Sequence, residues 1–557
     1  MCDHAGTPRS TAIRANIPTP GDRVEGSAML HSLVHERTLR GRGLSRPMKL
    51  DLGIWQGLPR AELRRTNSFM PLRVLSFLEG TADAEAAKAG IEDIVHMWID
   101  SHSGADSGHD EMAFHDETTA QRLLSCVLFA HTLWADHPPT FLEDLMESDA
   151  RRLLLPEFHS GLNNHGMYQD VALLTYFLWL PASERNVGDI RFAASRLREY
   201  SLVAFTEEGV HIEHSPSYHL LIAKSLKAAN LLLDALAVEG IETEAHEDLD
   251  VVLAKSERYA TQLITPTGRY PRYSDTTVTN LDTVENRALY QSREFEYAVT
   301  GGVRGSAPKD KVAVFPLSGY AVDRGRWGDP LSPYTLFTAA YNGPYHKHSD
   351  ELSFLILNKG MEVLTEAGPN GYTYSDPYTK YAYSSAAHNS LLIDGRGLPR
   401  NDEQTHATRL IDLGSGESGL DVEGSTLRYS EARFRRRFRT LGFSSATPLV
   451  DICDRVETYD GRPHELALLF HLGRNVDLSE LSSRTYELSS EGVALGSLCF
   501  STQDKITIEI LDRLQSTRKE TVLFPEMGKR ERGTTLIVRS KSAQLTVRTV
   551  IALHTDR

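Results

Sequence analysis

Apolar residues recur at steps of three and four through the first 300 residues, and that rhythm stops beyond about residue 305. Ile91, Ile94, Val95 and Trp98 share one helical face, as do Leu124, Val127, Leu128, His131 and Trp134. A third stripe runs Tyr218, Ile222, Leu226, Ala229, Leu233 and Leu236. Short connectors such as ADHPPT and LPASERNVGD separate the stripes and suit antiparallel helical hairpins. Helix following helix predicts a bundle, solenoid or closed helical toroid. The later segments, among them VAVFPLSGYAVDRG, SPYTLFTAAY, LSFLILNKG, ALLFHL and AQLTVRTVIAL, are short and rich in β-branched and aromatic residues. Many short strands in series predict an antiparallel sandwich. The expected fold class is therefore multidomain α+β, with helices over 31–305 and sheets over 306–557. The boundary falls near Thr300–Pro308.

Length and charge narrow the field. With 557 residues the chain can build two sizeable cores. Its 60 Lys and Arg against 75 Asp and Glu give a net charge of −15, which excludes a general nucleic-acid binder. The longest strongly apolar run, Val171 to Ala182, is well short of the roughly 20 residues that cross a bilayer. Residues 1–30 lack the apolar core of a secretory signal and read as a flexible leader, so the expected location is cytoplasmic, or periplasmic or secreted if a leader has been removed. Cys2, Cys126, Cys453 and Cys499 show no paired spacing and read as free thiols.

Four segments carry candidate chemistry. Asn163, Asn164 and His165, within GLNNHG, offer amides and an imidazole to hold a carboxylate and move a proton, or an N-cap for the next helix. In HIEHSPSYH, Pro216 suits a first helical turn with Ser215 as cap; this places Tyr218 near the positive end of the helix, among Glu213, His214 and His219. In YHKHSD, His346 precedes His348, which with Glu366 and His388 makes a mixed nitrogen–oxygen zinc set, against the alternative of hydrogen-bonded buried histidines. In EARFRRRFR, a strand puts Arg433, Arg435, Arg437 and Arg439 on one face and Phe434, Arg436 and Phe438 on the other. The arginine face suits either a polyanion or acidic neighbours.

Together NNHGMYQDVALL, EHSPSYHLL, PRYSD, FPLSGYAVDRG, YHKHSDELSFLILNKGMEVLTEAG and YSSAAHNSLLIDG resemble the heparinase II/III-like polysaccharide lyase superfamily. The resemblance implies an N-terminal (α/α) toroid, a C-terminal antiparallel β-sandwich and an active site between them. It implies β-elimination on uronic-acid-containing polysaccharide, glycosaminoglycans first and alginate or glucuronan next. Asn164, with Asn163 and His165 beside it, matches the neutraliser of the uronate carboxylate. Tyr218 matches the catalytic tyrosine and His346 the catalytic histidine. Asn164, His165 and His346 stay open between neutraliser and base. Asn163, Glu213, His214, Arg272, Arg435 and Arg437 are the expected substrate contacts. His348, Glu366 and His388 match a structural metal site, zinc first and manganese or calcium next, with no organic cofactor; the usual middle ligand there is Asp. The implied partner is an anionic polysaccharide; a homodimer is compatible with the sequence, which does not set the oligomeric state. The competing readings are a toroid glycoside hydrolase using Glu213, Asp275 or Asp350, and a non-catalytic polysaccharide-binding protein.

Overall fold

The stripes do fold as helices. In the computed structural model, which describes residues 7–19, 21–41, 44–50, 58–102, 112–276, 280–445 and 447–555, they run as follows. They are α1 (Pro8–Asn16), α2 (Arg23–His35), α3 (Arg60–Asn67), α4 (Ala84–His102), α5 (Asp116–Thr132), α6 (Thr140–Leu154), α7 (Asn164–Trp179), α8 (Val187–Ala204), α9 (Pro216–Val238) and α10 (Ala245–Gln262). The predicted stripe residues of α4 are buried, as are Leu124, Val127, Leu128 and His131 of α5, while Trp134 lies past the end of α5 and is half-buried; α9 buries Ile222, Leu226, Ala229, Leu233 and Leu236. From Thr118 onward α5 is buried on every side, so it is a central helix rather than an amphipathic surface one. Among the described residues no helix is long and apolar enough to cross a membrane.

Two expectations change. The stretch read as a flexible leader holds α1 and part of α2. Thr7 caps α1 by accepting from the Ser10 N–H, Pro8 opens the helix, and Ala12, Ile13 and Ile17 are buried. Its Thr and Pro are capping chemistry, not marks of flexibility. Cys2 lies outside the described residues, and Cys126, Cys453 and Cys499 are free. The chain also divides differently from the expected boundary. One compact unit is Met1–Ala204 with Lys224–Val252, and the other is Phe205–Ala223 with Leu253–Arg557.

The helical unit buries charge as well as apolar surface. Arg122 on α5 holds Asp149 on α6 through two hydrogen bonds of 2.9 and 2.6 Å, donates to the Ala113 carbonyl, and lies 4.3 Å above the Trp98 ring. Both side chains are shielded from water, so losing one strands the other.

In the second unit the strands are antiparallel. A five-stranded meander runs Val312–Phe315, Tyr320–Arg324, Tyr334–Thr338, Phe354–Asn358 and Met361–Leu364. An eight-stranded sheet centres on Ala432–Leu441, Leu449–Thr458 and Gln544–Leu553, and a four-stranded sheet on His464–His471 and Thr535–Ser542. One core takes Phe337 and Phe354 from the first, Phe434 and Phe438 from the second, and Leu468, Phe470 and Val538 from the third. Phe337 stacks on Phe438 at 5.1 Å.

The arginine strand alternates as predicted, but three of the four arginines on its outer face already meet carboxylates. Arg437 binds Asp421 through two hydrogen bonds of 2.8 and 2.7 Å, Arg435 binds Glu457 at 3.0 Å, and Arg439 sits 3.5 Å from both Asp421 and Asp451. Arg435 and Arg437, expected as substrate contacts, thus already have carboxylate partners within the sheet: strand register sets Asp421 opposite Arg439 and Glu457 opposite Arg433. Arg436, on the inner face, is buried against Asp454.

Two outcomes follow. Asp149→Ala lowers stability by about 3–5 kcal/mol, read from the denaturant midpoint, because it leaves Arg122 buried without its counter-charge. Arg435→Ala with Arg437→Ala costs no more than about 1 kcal/mol per pair and leaves elution from a sulfated resin unshifted.

Candidate active site

The predicted residues fall into two groups, one in each compact unit. In the second unit, α9 starts at Pro216 as expected, and Tyr218 lies in its first turn. The Tyr218 ring stacks on His346, with centroids 3.7 Å apart and planes 26° from parallel. His346 sits in the loop before the strand Phe354–Asn358, in the left-handed region with φ of 52°. Ser274 Oγ donates to its carbonyl at 2.6 Å. Ser274 and His214 are also left-handed, so three non-glycine residues carry backbone strain around one site. The next residue, Lys347, is buried and pins the loop. Its ammonium reaches Asp350 at 2.5 Å and Glu351 at 3.2 Å, and Glu351 in turn pairs with buried Arg428.

Asp275 links the two histidines of this loop. One carboxylate oxygen lies 2.9 Å from His346 Nδ1 and the other 3.0 Å from His348 Nε2. Burial pushes its pKa up, but the hydrogen bonds with the two imidazoles outweigh that and hold it at about 2. An ionised carboxylate only accepts, so His346 carries its proton on Nδ1 and His348 on Nε2. His346 Nε2 then faces Glu213 Oε2 at 3.5 Å, and His348 Nδ1 is left without a hydrogen-bond partner.

His348, Glu366 and His388 do come near one another, each about 1% exposed. The two rings lie 5.4 Å apart, and His388 Nδ1 is 3.1 Å from Glu366 Oε1. His348 Nδ1, both Glu366 oxygens and both His388 nitrogens are buried without an aligned hydrogen bond. Two imidazoles and a carboxylate, with Asp275 backing His348, are donors of the type zinc takes. Among the described residues, however, no group of three His, Cys, Asp or Glu is arranged to hold a metal ion.

Two expected substrate contacts in this unit are committed elsewhere. His214 is 1% exposed, with Nε2 against the Asn342–Gly343 backbone and Nδ1 3.4 Å from the Tyr320 hydroxyl. Burial, with Lys347 nearby, pushes its pKa down to about 3. Arg272 is locked onto Glu362 by two hydrogen bonds. Burial leaves His214 no face for a ligand, whereas Arg272, though paired with Glu362, lines a cavity with Tyr270 and Arg474. Glu213 is buried beside His346.

In the helical unit, Asn163 is the N-cap of α7. Its Oδ1 accepts from the His165 and Gly166 N–H groups at 2.9 and 3.2 Å, and its Nδ2 donates to the Ser160 carbonyl at 2.6 Å. Asn163, expected as a substrate contact, has spent its amide on the backbone, whereas Asn164 follows it in the first turn, part-exposed. The loop folds back so closely that a Cβ on Gly166 would stand 2.0 Å from the Gly161 carbonyl oxygen. His165 turns toward α5, with Nδ1 3.4 Å from Asp116 Oδ2 and Nε2 3.4 Å from Glu117 Oε2.

Sequence reasoning assigned no role to Asp116 or Glu117, weighed Asp275 only as a hydrolase carboxylate, and passed over Tyr372. The Tyr372 hydroxyl is hydrogen-bonded with Tyr218, and its ring stands edge-on to His346 at 6.0 Å. Asp275 lay inside a quoted motif, PRYSD; the other three carry no local pattern.

A family model for the heparinase II/III-like C-terminal domain matches residues 307–551. No curated protein matches by sequence. Among solved structures, a heparinase III aligns with a TM-score of 0.76 at 16% identity over 99% of this chain and 90% of its own. The heparan sulfate lyase of Pedobacter heparinus aligns with a TM-score of 0.72 at 14% identity, over 99% and 88%. A chondroitin AC lyase of Streptomyces coelicolor in complex with chondroitin sulphate aligns with a TM-score of 0.54 at 12% identity, over 100% and 83%. Helices followed by antiparallel sheets are the fold these structures share with this chain. Residues 307–551 are thus similar to the heparinase II/III-like C-terminal domain, and the whole chain shares its fold with these lyases.

Proposed function

We propose that this protein is a polysaccharide lyase that cleaves a uronic-acid-containing chain by β-elimination, with glycosaminoglycan as the first substrate class. The observation that carries the reading is the stack of Tyr218 on His346, with Asp275 fixing the imidazole. The likeness to heparin- and chondroitin-degrading lyases supports it. In this reading the helices form an (α/α) toroid and the sheets a β-sandwich.

Elimination asks for three things. The proton beside the uronate carboxylate becomes removable once the carboxylate charge is neutralised; Asn164 and His165 take that role, since the Asn163 amide is used as a cap. A base removes the proton and an acid protonates the departing glycosidic oxygen. Tyr218 does both where proton and leaving group lie on one side, and His346 serves as base where they lie on opposite sides, once its Nε2, which faces Glu213 at 3.5 Å, has lost its proton. No water attacks, so the paired carboxylates of a hydrolase are not needed. Asp275 and Glu213, the hydrolase candidates, instead face His346. Asp350 is buried against Lys347. Alginate or glucuronan is the second substrate reading, since the same three steps apply to any uronate.

The metal belongs to the proposal too. His348 through Nδ1, Glu366 and His388 would hold zinc, which would add rigidity beneath the loop that carries His346.

The test is a panel of uronate polysaccharides, followed by ultraviolet absorbance of the unsaturated product. Wild-type protein produces it, and Tyr218→Phe loses about 10²–10⁴-fold in rate while keeping its fold. New reducing ends without absorbance would mean hydrolysis, and binding without cleavage would mean a polysaccharide-binding protein. For the metal, elemental analysis of the purified protein is expected to give one zinc per chain. His388→Ala loses the zinc, and chelation lowers the melting temperature of the wild type.

A further inference from the structure

His165 is one of three residues, with Asn164 and His346, whose role the sequence leaves open between neutraliser and base. Its surroundings decide the matter. Nδ1 faces Asp116 Oδ2 and Nε2 faces Glu117 Oε2, each at 3.4 Å. A neutral imidazole has one N–H and one acceptor nitrogen, and a carboxylate offers no proton to the second. A ring with an ionised carboxylate at each nitrogen is satisfied only as the doubly protonated cation.

The two carboxylates are themselves held in place. Asp116 accepts from Ser160 Oγ and from the Glu117 backbone N–H at 2.5 Å, and Glu117 is paired with Arg64 of α3. His115 stands on the other side of Asp116, its Nδ1 at 2.5 Å, with its ring edge-on to His165 at 6.0 Å. The groups facing His165 are thus Asp116 and Glu117 from α5, Arg64 from α3 and the ring of His115. The sign of the balance is clear. The hydrogen bond to Asp116 raises the His165 pKa, burial lowers it, the Glu117 and Asp116 charges raise it, and Arg64 lowers it, with a net rise. For Asp116, burial works upward but the hydrogen bonds from His165 and Ser160 hold the carboxyl well below the usual range.

We propose that Asp116 and Glu117 are positioning residues that keep His165 a fixed cation, so that it meets the substrate carboxylate and cannot act as the base. This rests on the lyase reading for its substrate, but not for the charge itself.

The two roles predict opposite pH dependence. A raised folded-state pKa means that the cation is complete below the ordinary histidine pKa of about 6.5 and is lost as pH rises through the raised value. As a cation, His165 makes KM rise over that range; as a base, it would make kcat/KM rise there. Asp116→Asn moves the inflection to lower pH, and at neutral pH raises KM about tenfold, the scale of one charge-assisted hydrogen bond. The direct measurement is an NMR titration of full-length protein labelled in its histidine rings, with the His165 signal assigned by its loss in His165→Gln. The expected midpoint lies above 6.5 in the wild type and falls in folded Asp116→Asn and in Glu117→Gln. A wild-type midpoint at or below that value overturns the proposal, whether or not any variant folds. So does a kcat/KM that climbs as His165 loses its proton. If no polysaccharide is cleaved while the midpoint is raised and falls with Asp116→Asn, the lyase reading fails and the positioning role stands.

Discussion

One buried carboxylate orders the chemistry of the second unit. Asp275 has two oxygens and spends them on two imidazoles, His346 and His348, one step apart along the same loop. Because it only accepts, it decides which nitrogen of each ring is protonated and, by elimination, which is left to work. Much of the local structure holds that arrangement in place. The left-handed backbone at Ser274 and His346, the bond from Ser274 Oγ to the His346 carbonyl, and the buried Lys347 beneath the loop all maintain the short distances to Asp275.

The helical unit uses the same device with the stoichiometry reversed. There one imidazole, His165, lies between two carboxylates. Two rings on one carboxylate leave one nitrogen of each ring outside the bridge; two carboxylates on one ring leave it a permanent donor.

Periodicity made the layout legible. The stripes on α4, α5 and α9, the start of α9 at Pro216 and the alternation along Ala432–Leu441 all follow from spacing alone. Tyr218 and His346, whose rings stack, each sit in a compact motif. What escaped was pairing between distant segments. Asp275 finds His346 across 71 positions and Asp116 finds His165 across 49, and no local pattern announces either. The same blindness misread the arginine strand, where a charged face was visible but the facing Asp421, Asp451 and Glu457 were not. The N-terminal stretch was misread for another reason, since Thr and Pro serve helix starts as readily as loops.

That arginine strand changes how an anionic chain would approach. With Arg435, Arg437 and Arg439 paired to strand neighbours, the strand offers only a weakened attractive field against a net charge of −15. At distances beyond contact the protein repels a polyanion, and the Debye length, about 8 Å at physiological ionic strength, sets how far that repulsion reaches. Added salt would then speed encounter rather than slow it, the reverse of a protein that captures polyanions on a basic surface. Selection would rest on contacts made after arrival, by a few fixed charges and amides at the site.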